Sequence, residues 1–270
     1  MKDTIMRFGY LAVIAILSAA GAAAQDKVTV PITNPSQPVT LNASVFNGSI
    51  KVTAGTGRDV IVSADDGSTS RRNRDEDAAP AGMKRIGGRP GMDIEEDHNV
   101  VTINTGMSNA NLTIEVPVNT NLHLKTTNGS GIEATGINGD HEIENTNGAI
   151  HLTDVSGSVV AHTLNGSVIV SLSRITSTKP MSFTSLNGKI DVTLPADTKA
   201  RLRLKSDNGS IFSDFDVKLD SSSKPTVEDN RSNNGKYRIT VDKAISGTIN
   251  GGGPEYTFQT MNGNILIHKK

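Results

Sequence analysis

The strongest constraint on this sequence is a residue pair that recurs through its central third, Asn or Ser followed by Gly. Successive pairs begin nine or ten residues apart, and later ones about twice that distance, at Asn128, Asn138, Asn147, Ser156, Asn165 and Asn187. Gly lacks a Cβ and Asn bonds locally through its side-chain amide, so both tolerate positive φ and suit sharp turns. A period of this kind predicts short repeated elements separated by tight turns.

Apolar residues flank each pair with a period of two. With the Asn as position zero, they recur at plus three and plus five, as in Ile50 and Val52, Ile150 and Leu152, Val168 and Val170, Ile190 and Val192, and Ile265 and Ile267. They also tend to occupy minus six and minus four, as in Leu122 and Leu124, Met181 and Phe183, Leu202 and Leu204, and Tyr256 and Phe258. This alternation predicts a strand, a turn and a second strand in every unit.

Two architectures are compatible with that unit. A two-residue hairpin would pair position minus four with plus five and give antiparallel strands. A solenoid corner would give parallel strands, each coil lying on the previous one. Repetition of the same turn chemistry favours the solenoid. The fold class predicted is therefore all-β, a β-solenoid resembling a single-stranded β-helix, with stacked short strands and Asn-Gly turns.

Two phrases near the start of this pattern carry a family resemblance. They are LNASVFNGSIKV at 41–52 and GRDVIVSA at 57–64, and a run of Asn-Gly-x-Ile-x-Val units follows them. Together they resemble the bacterial putative-adhesin family, an exported cell-envelope domain of unknown function, over residues 39–268. The resemblance implies a β-solenoid-like fold and a periplasmic or surface setting, and it brings no catalytic residues.

The N-terminus has the features of a secretory signal peptide. Lys2 and Arg7 precede the apolar run Phe8–Leu17, and small residues then end in Ala22-Ala23-Ala24. We predict a signal peptide over residues 1–24 with cleavage before Gln25, and a β-solenoid domain over 25–270. The sequence has no cysteine, which excludes disulfides and a lipid-modified Cys. No later apolar run is long enough to anchor the mature chain in a membrane.

Two polar segments interrupt the repeats. Residues 65–98 carry mixed charge and few apolar side chains, and residues 221–234 are rich in Ser, Asn and Asp. Such composition cannot offset the entropy of ordering, so we expect a flexible insert and a polar loop.

Charge and aromatic content narrow the possible partners. The chain carries 27 Lys and Arg against 28 Asp and Glu, a formal net charge of −1, which gives no drive towards nucleic acid. It has no Trp and few Phe and Tyr, so glycan recognition by aromatic stacking is not favoured. We expect the partner to be an envelope protein or a surface polymer, bound along an edge or through the 65–98 insert.

Three groups of residues could carry chemistry. The histidines His123, His151 and His162 would face outward and, if coils stacked suitably, could form a metal site, but no ligand spacing supports one. The Gly run at 250–253 lacks the Asp of calcium-binding β-rolls. Hydroxyls two residues before the corner could form a polymer-binding row or only finish each turn, at Thr126, Thr163, Ser185, Ser206, Thr248 and Thr260.

The acidic residues define the alternative function. Glu133, Asp140, Glu142 and Glu144 form the densest cluster, and a glycan-binding or glycan-cleaving β-helix would need such carboxylates to converge in one groove. The prediction preferred here is a non-enzymatic exported cell-envelope protein, an adhesin or scaffold acting through its extended β surface. No catalytic, cofactor-binding or metal-binding residue is assigned, and no cofactor is expected.

Overall fold

The structure is a computed structural model that describes residues 27–65, 91–175, 178–220, 226–230, 236–240 and 244–270. The predicted signal peptide and residues 66–90 of the predicted insert lie outside this range. Within it, no helix is long and apolar enough to cross a membrane.

The described chain is built from strands. In chain order they are β1 Val28–Val30, β2 Val39–Gly55, β3 Val60–Asp65, β4 Asp93–Asp97, β5 Val100–Asn104, β6 Asn109–Pro117, β7 Thr120–Thr135, β8 Asn138–Asn165, β9 Val168–Arg174, β10 Met181–Asn187, β11 Ile190–Leu194, β12 Ala200–Asn208, β13 Ile211–Ser213, β14 Lys218–Leu219, β15 Thr226–Asn230, β16 Lys236–Thr240, β17 Ile245–Ile249, β18 Glu255–Asn262 and β19 Ile265–Lys269.

The strands form a parallel solenoid of stacked rungs. A rung here is the strand before an Asn corner together with the strand after it; the strands before the corner form the first sheet and those after it form the second. In spatial order, rung 1 is β5 with β6, rung 2 is β2, rung 3 is β7, rung 4 is residues 138–153 of β8, rung 5 is the rest of β8 with β9, rung 6 is β10 with β11, rung 7 is β18 with β19, and rung 8 is β12 with β13.

Register between rungs follows the repeat found in the sequence. Asn47 pairs with Asn128, and Asn128 with Asn147, so equivalent corners lie above one another. The pairs at Asn138 and Ser156 form the opposite corner, which explains why the sequence spacing is half the rung length. The predicted solenoid is confirmed, and the antiparallel hairpin alternative is wrong for the central repeats.

The spatial order of rungs differs from the chain order at both ends. Rung 2 is the first in the chain but lies between rungs 1 and 3. Rung 7 is the last in the chain but lies between rungs 6 and 8. Rungs 2 and 7, the first and last in the chain, are therefore each paired with a neighbouring rung on both sides in both sheets.

Antiparallel strands cover the two ends of the stack. At rung 1, β4 pairs with β5 and β3 pairs with β6, and β1 adds to β3. At rung 8, β17 pairs with β12, and β14 pairs with β17. Such strands occupy hydrogen-bonding groups that an end rung would otherwise present to another chain.

The core consists of the inward side chains of the two sheets. Every apolar residue named above at positions plus three, plus five, minus six and minus four is buried. Most are aliphatic, as the low aromatic content predicts, and Phe183 and Phe258 stack with ring centroids 4.9 Å apart. Burial of one continuous aliphatic row against the next is the main stabilisation of the stack.

Two predictions about the polar segments need correction. Asp93–Asp97, predicted as part of the 65–98 flexible insert, forms β4, and Ile94 packs against the core. Thr226–Asn230, predicted as part of the 221–234 polar loop, forms β15 and pairs with β16. Each strand obtains its backbone hydrogen bonds from one neighbour, so an edge position needs little apolar content, and composition alone missed both.

Candidate functional site

The candidate functional surface is the outer side of the two sheets. In the first sheet, positions minus five, minus three and minus one from the corner Asn point outward, because inward and outward side chains alternate along a strand. We call this surface the first face, and the outward side of the second sheet the second face. In-register rungs place equivalent residues in columns, so neighbours in a column come from different rungs.

Charged groups on the first face form cross-rung pairs in rungs 3 and 4. Lys125 Nζ lies 2.8 Å from a Glu144 carboxylate oxygen, and His123 Nδ1 lies 3.2 Å from Glu142. The hydrogen bond from Lys125 lowers the pKa of Glu144, and the same bond raises the pKa of Lys125. A general acid for glycoside cleavage needs a raised carboxyl pKa, so Glu144 is unsuited to that role.

The acidic residues singled out from the sequence do not all converge. Glu142 and Glu144 lie on the first face, whereas Glu133 lies on the second, where Lys51 Nζ is 3.5 Å from its carboxylate. Two carboxyl groups that act on one glycosidic bond must flank it. Glu133 therefore cannot act together with Glu142 or Glu144 on one glycosidic bond.

The three candidate histidines are also divided. His123 and His162 lie in different columns of the first face, and His151 lies on the second face beside Glu133. Among the described residues, no group of three or more His, Asp and Glu side chains could hold a metal ion. Stacking of coils does not bring these imidazoles to a common point.

A depression near these groups has a volume of about 390 Å³ and lies at the corner opposite the Asn row. Asp140 is central to it: Lys179 Nζ donates to it at 2.7 Å and Ser158 Oγ also donates to it. The hydrogen bonds from Lys179 and Ser158 lower the pKa of Asp140, so it is a carboxylate at neutral pH. Val160 and Pro180 add an apolar wall. The depression therefore offers hydrogen-bond acceptors beside an apolar surface.

His141 is a polar residue that the sequence analysis missed. It occupies position minus six of its unit, where other rungs have Leu122 or Met181, and its side chain is 2% exposed. Its Nε2 lies 3.2 Å from the Ser156 carbonyl oxygen, and its Nδ1 has no hydrogen-bond partner in the described part of the chain. Burial lowers its pKa. A His at a position otherwise occupied by apolar residues was the available sequence signal.

The Asn side chains at the corner form a continuous ladder. From Asn128 onward, each Nδ2 donates to the Oδ1 of a neighbouring rung over distances of 2.7 to 3.3 Å, so that the ladder runs through Asn47, Asn128, Asn147, Asn165, Asn187, Asn262 and Asn208. None of these Asn residues has positive φ. Local turn bonding was the role predicted for these amides, but they bond between rungs.

Glycine follows each of these Asn residues because the rungs approach closely. A Cβ on Gly188 would lie 2.0 Å from the Gly166 carbonyl oxygen, and one on Gly263 would lie 2.2 Å from that of Gly188. Two residues before the corner, the buried hydroxyls of Thr163, Ser185 and Thr260 donate to glycine carbonyls of this kind, with Ser185 to Gly166 at 2.8 Å. These hydroxyls point inward, so they cannot form an exposed polymer-binding row. The amides, hydroxyls and carbonyls at the corner are therefore engaged in contacts between rungs.

Comparison with known proteins places this architecture in context. A family model described as Toastrack DUF4097 matches residues 4–267. The crystal structure of a putative cell adhesion protein from Clostridium sporogenes ATCC 15579 is similar, with 11% identity, a TM-score of 0.48, and coverage of 91% of this chain and 99% of that chain. That of a putative adhesin from Bacteroides fragilis NCTC 9343 gives 12% identity, a TM-score of 0.29, and coverage of 92% and 98%. Neither likeness carries functional information, and no curated protein matches the sequence.

Proposed function

This chain belongs to the Toastrack DUF4097 family, and on that premise we propose that it is a non-enzymatic, exported protein of the cell envelope that acts as an adhesin or scaffold. Export is supported by the basic, apolar and small-residue segments of residues 1–24. In this proposal the two outer faces of the solenoid make the contacts, and the interior and the corners serve only the fold.

One observation carries the proposal: the stacked rungs present long, regular β surfaces on which carboxylates lie beside basic side chains of neighbouring rungs. Lys125 with Glu144 and His123 with Glu142 illustrate this on the first face, and Lys51 with Glu133 on the second. In the pair with Lys125, the pKa of Glu144 is lowered, which disfavours a general-acid role for that carboxyl. Extended concave or flat surfaces on stacked repeats commonly bind other macromolecules.

The proposal is tested by photo-crosslinking from each face on intact cells. A photoreactive residue replaces Thr184 on the first face or Thr153 on the second, and Asp59 in the exposed turn after β2 is the control position. We expect adducts with another envelope molecule from at least one face and none from Asp59. Absence of adducts from both faces would contradict the proposal, as would hydrolysis of cell-wall polymer by the purified protein.

A glycan ligand is the second candidate function, and the depression around Asp140 is the observation that favours it. Carboxylates such as Asp140 and Glu142 accept hydrogen bonds from vicinal hydroxyls, and Val160 with Pro180 offers an apolar wall for a sugar ring. Titration of the protein with envelope glycans by NMR tests this. Shifts in the Asp140 region that disappear in Glu142→Gln would support binding, and shifts unchanged by the substitution would exclude this depression.

A further inference from the structure

The first face has an uncharged centre made by rungs 5, 6 and 7. At position minus one, three large apolar side chains lie in consecutive rungs, Leu164, Leu186 and Met261, with exposures of 38%, 37% and 46%. Rungs are about 4.8 Å apart, so these side chains form one continuous stripe. A contiguous apolar stripe of this kind on a protein surface is typical of an interaction site.

Beside this stripe runs the column at position minus three. In spatial order it reads Lys125, Glu144, His162, Thr184, Gln259 and Lys205. Its centre is Thr184 of rung 6, and Glu144 and Lys205 lie two rungs away on either side. The uncharged centre is therefore bordered by an acidic residue at one end and a basic residue at the other.

The charges at the two ends of this column are complementary to those of a second copy turned by 180°. We propose that the first face binds a second copy of this chain. The two copies pack sheet on sheet, related by a two-fold axis that runs parallel to the strands and passes over rung 6. The axis brings Leu186 against its own equivalent and Leu164 against Met261. It also places Glu144 of each copy against Lys205 of its partner, giving two equivalent ion pairs.

The position minus five column supports the same arrangement. There Glu142 lies in rung 4 and Arg203 in rung 8, again two rungs from the centre. The same axis superposes these two positions. Because both columns reverse charge about rung 6, like charges would oppose one another if the copies packed with their rungs in the same direction. The charge pattern thus selects the antiparallel arrangement, as expected for an isologous interface.

The size of the surface sets the strength expected. Five rungs at about 4.8 Å and six strand residues at about 3.3 Å give a contact face of roughly 20 by 20 Å. That is smaller than the face of a standard permanent complex, so the dimer should form at micromolar concentrations and exchange readily. Pairing through the first faces leaves both second faces exposed on opposite sides. Such a dimer would be bivalent, which raises the avidity of an adhesin or scaffold.

Sedimentation equilibrium of the purified protein, from low micromolar to several hundred micromolar, tests the proposal. We expect the wild-type protein to show a monomer–dimer equilibrium. Glu144→Lys and Lys205→Glu each place like charges together and should weaken self-association by about tenfold. An equimolar mixture of the two variants restores opposite charges at both ion pairs, so the mixture should associate as tightly as the wild type. Circular dichroism melts check that each variant is folded.

A second pair of variants tests the apolar centre without changing those ion pairs. Leu186→Lys places two ammonium groups on the axis and should abolish the dimer. Met107→Lys is the matched control, since Met107 is 80% exposed in the turn between β5 and β6. A wild-type protein that stays monomeric throughout, a Leu186→Lys dimer, or a charge-variant mixture no tighter than the single variants would each overturn the proposal. These results are independent of whether an envelope partner is found.

Discussion

At the residue scale, the interior of the solenoid limits which polar atoms can be buried without a hydrogen-bond partner. His141 is an ionisable side chain in a mostly apolar interior, and burial makes its charged form unfavourable. Asp140, adjacent in sequence, is already engaged by Lys179 and Ser158. The fold therefore accommodates His141 as a neutral imidazole.

The first prediction concerns the pH dependence of stability. The folded-state pKa of His141 is below its ordinary value of 6.5, so the unfolded chain binds a proton that the folded chain does not. The free energy of unfolding should fall as pH drops below that ordinary value. The contribution of His141 to this fall is at most about 1.4 kcal/mol per pH unit. His141→Met, which copies the equivalent Met181, should remove that part of the slope. Urea unfolding at several pH values measures it, and identical slopes in both proteins would contradict the assignment.

Glycine at the corner shows a second residue-scale constraint. Gly188 lies where a Cβ would meet the Gly166 carbonyl at 2.0 Å. We expect Gly188→Ala to push two rungs apart and lower the free energy of unfolding by about 1–3 kcal/mol, as overpacking usually does. Gly57 is the matched control, because its nearest atom would be 4.0 Å from an added Cβ. Equal melting temperatures for the two variants would show that close approach is not the reason for this glycine.

At the element scale, neighbouring rungs are joined by three parallel sets of contacts. These are the backbone ladder, the buried aliphatic rows and the Asn ladder. The Asn ladder differs from the others because it lies at the surface and each amide serves two rungs. Its contribution should therefore depend on position within the stack.

The third prediction uses that dependence. Asn165 donates to Asn147 and accepts from Asn187, whereas Asn208 at the ladder's end makes one such bond, to Asn262. Each bond contributes about 0.5–1.5 kcal/mol. Asn165→Ala should therefore lower the free energy of unfolding by about twice as much as Asn208→Ala. Chemical denaturation measures both, and an equal or reversed effect would show that the amides bond mainly to solvent.

At the scale of the whole molecule, the non-sequential rung order is the main departure from a simple repeat. In most repeat proteins a terminal repeat contacts one neighbour and can be removed with local effect. Here the final rung contacts two, and rung 8 loses its parallel partner without it. The stack is therefore complete only after the C-terminus is in place.

The fourth prediction follows from this order. Removal of residues 255–270 should expose rungs 6 and 8 together and abolish cooperative unfolding, not shorten the stack by one rung. Limited proteolysis and thermal melts measure the effect. Lys270→Ala, which removes only the 2.8 Å ion pair with the exposed Asp154, is the control and should change stability little. A truncated protein that unfolds as sharply as the control would contradict this view.

The sequence alone determined the strands, the corners and the aliphatic interior. The alternation around pairs such as Asn147-Gly148 places Ile143 and Ile150 inside, because strand periodicity is a local property. The recurrence of the same turn chemistry also favoured stacked parallel coils over antiparallel hairpins. The sequence did not identify β4, because a strand at a sheet edge is held by its partner and not by its composition.

Only the tertiary structure decided which rungs are neighbours, and hence which side chains meet. Asn187 bonds to Asn262, which is distant in the chain, because the last rung lies inside the stack. The same order aligns Leu186 with Met261. Spacing along the chain fixes positions within one rung, but contacts between rungs depend on the order of stacking, which no local pattern encodes.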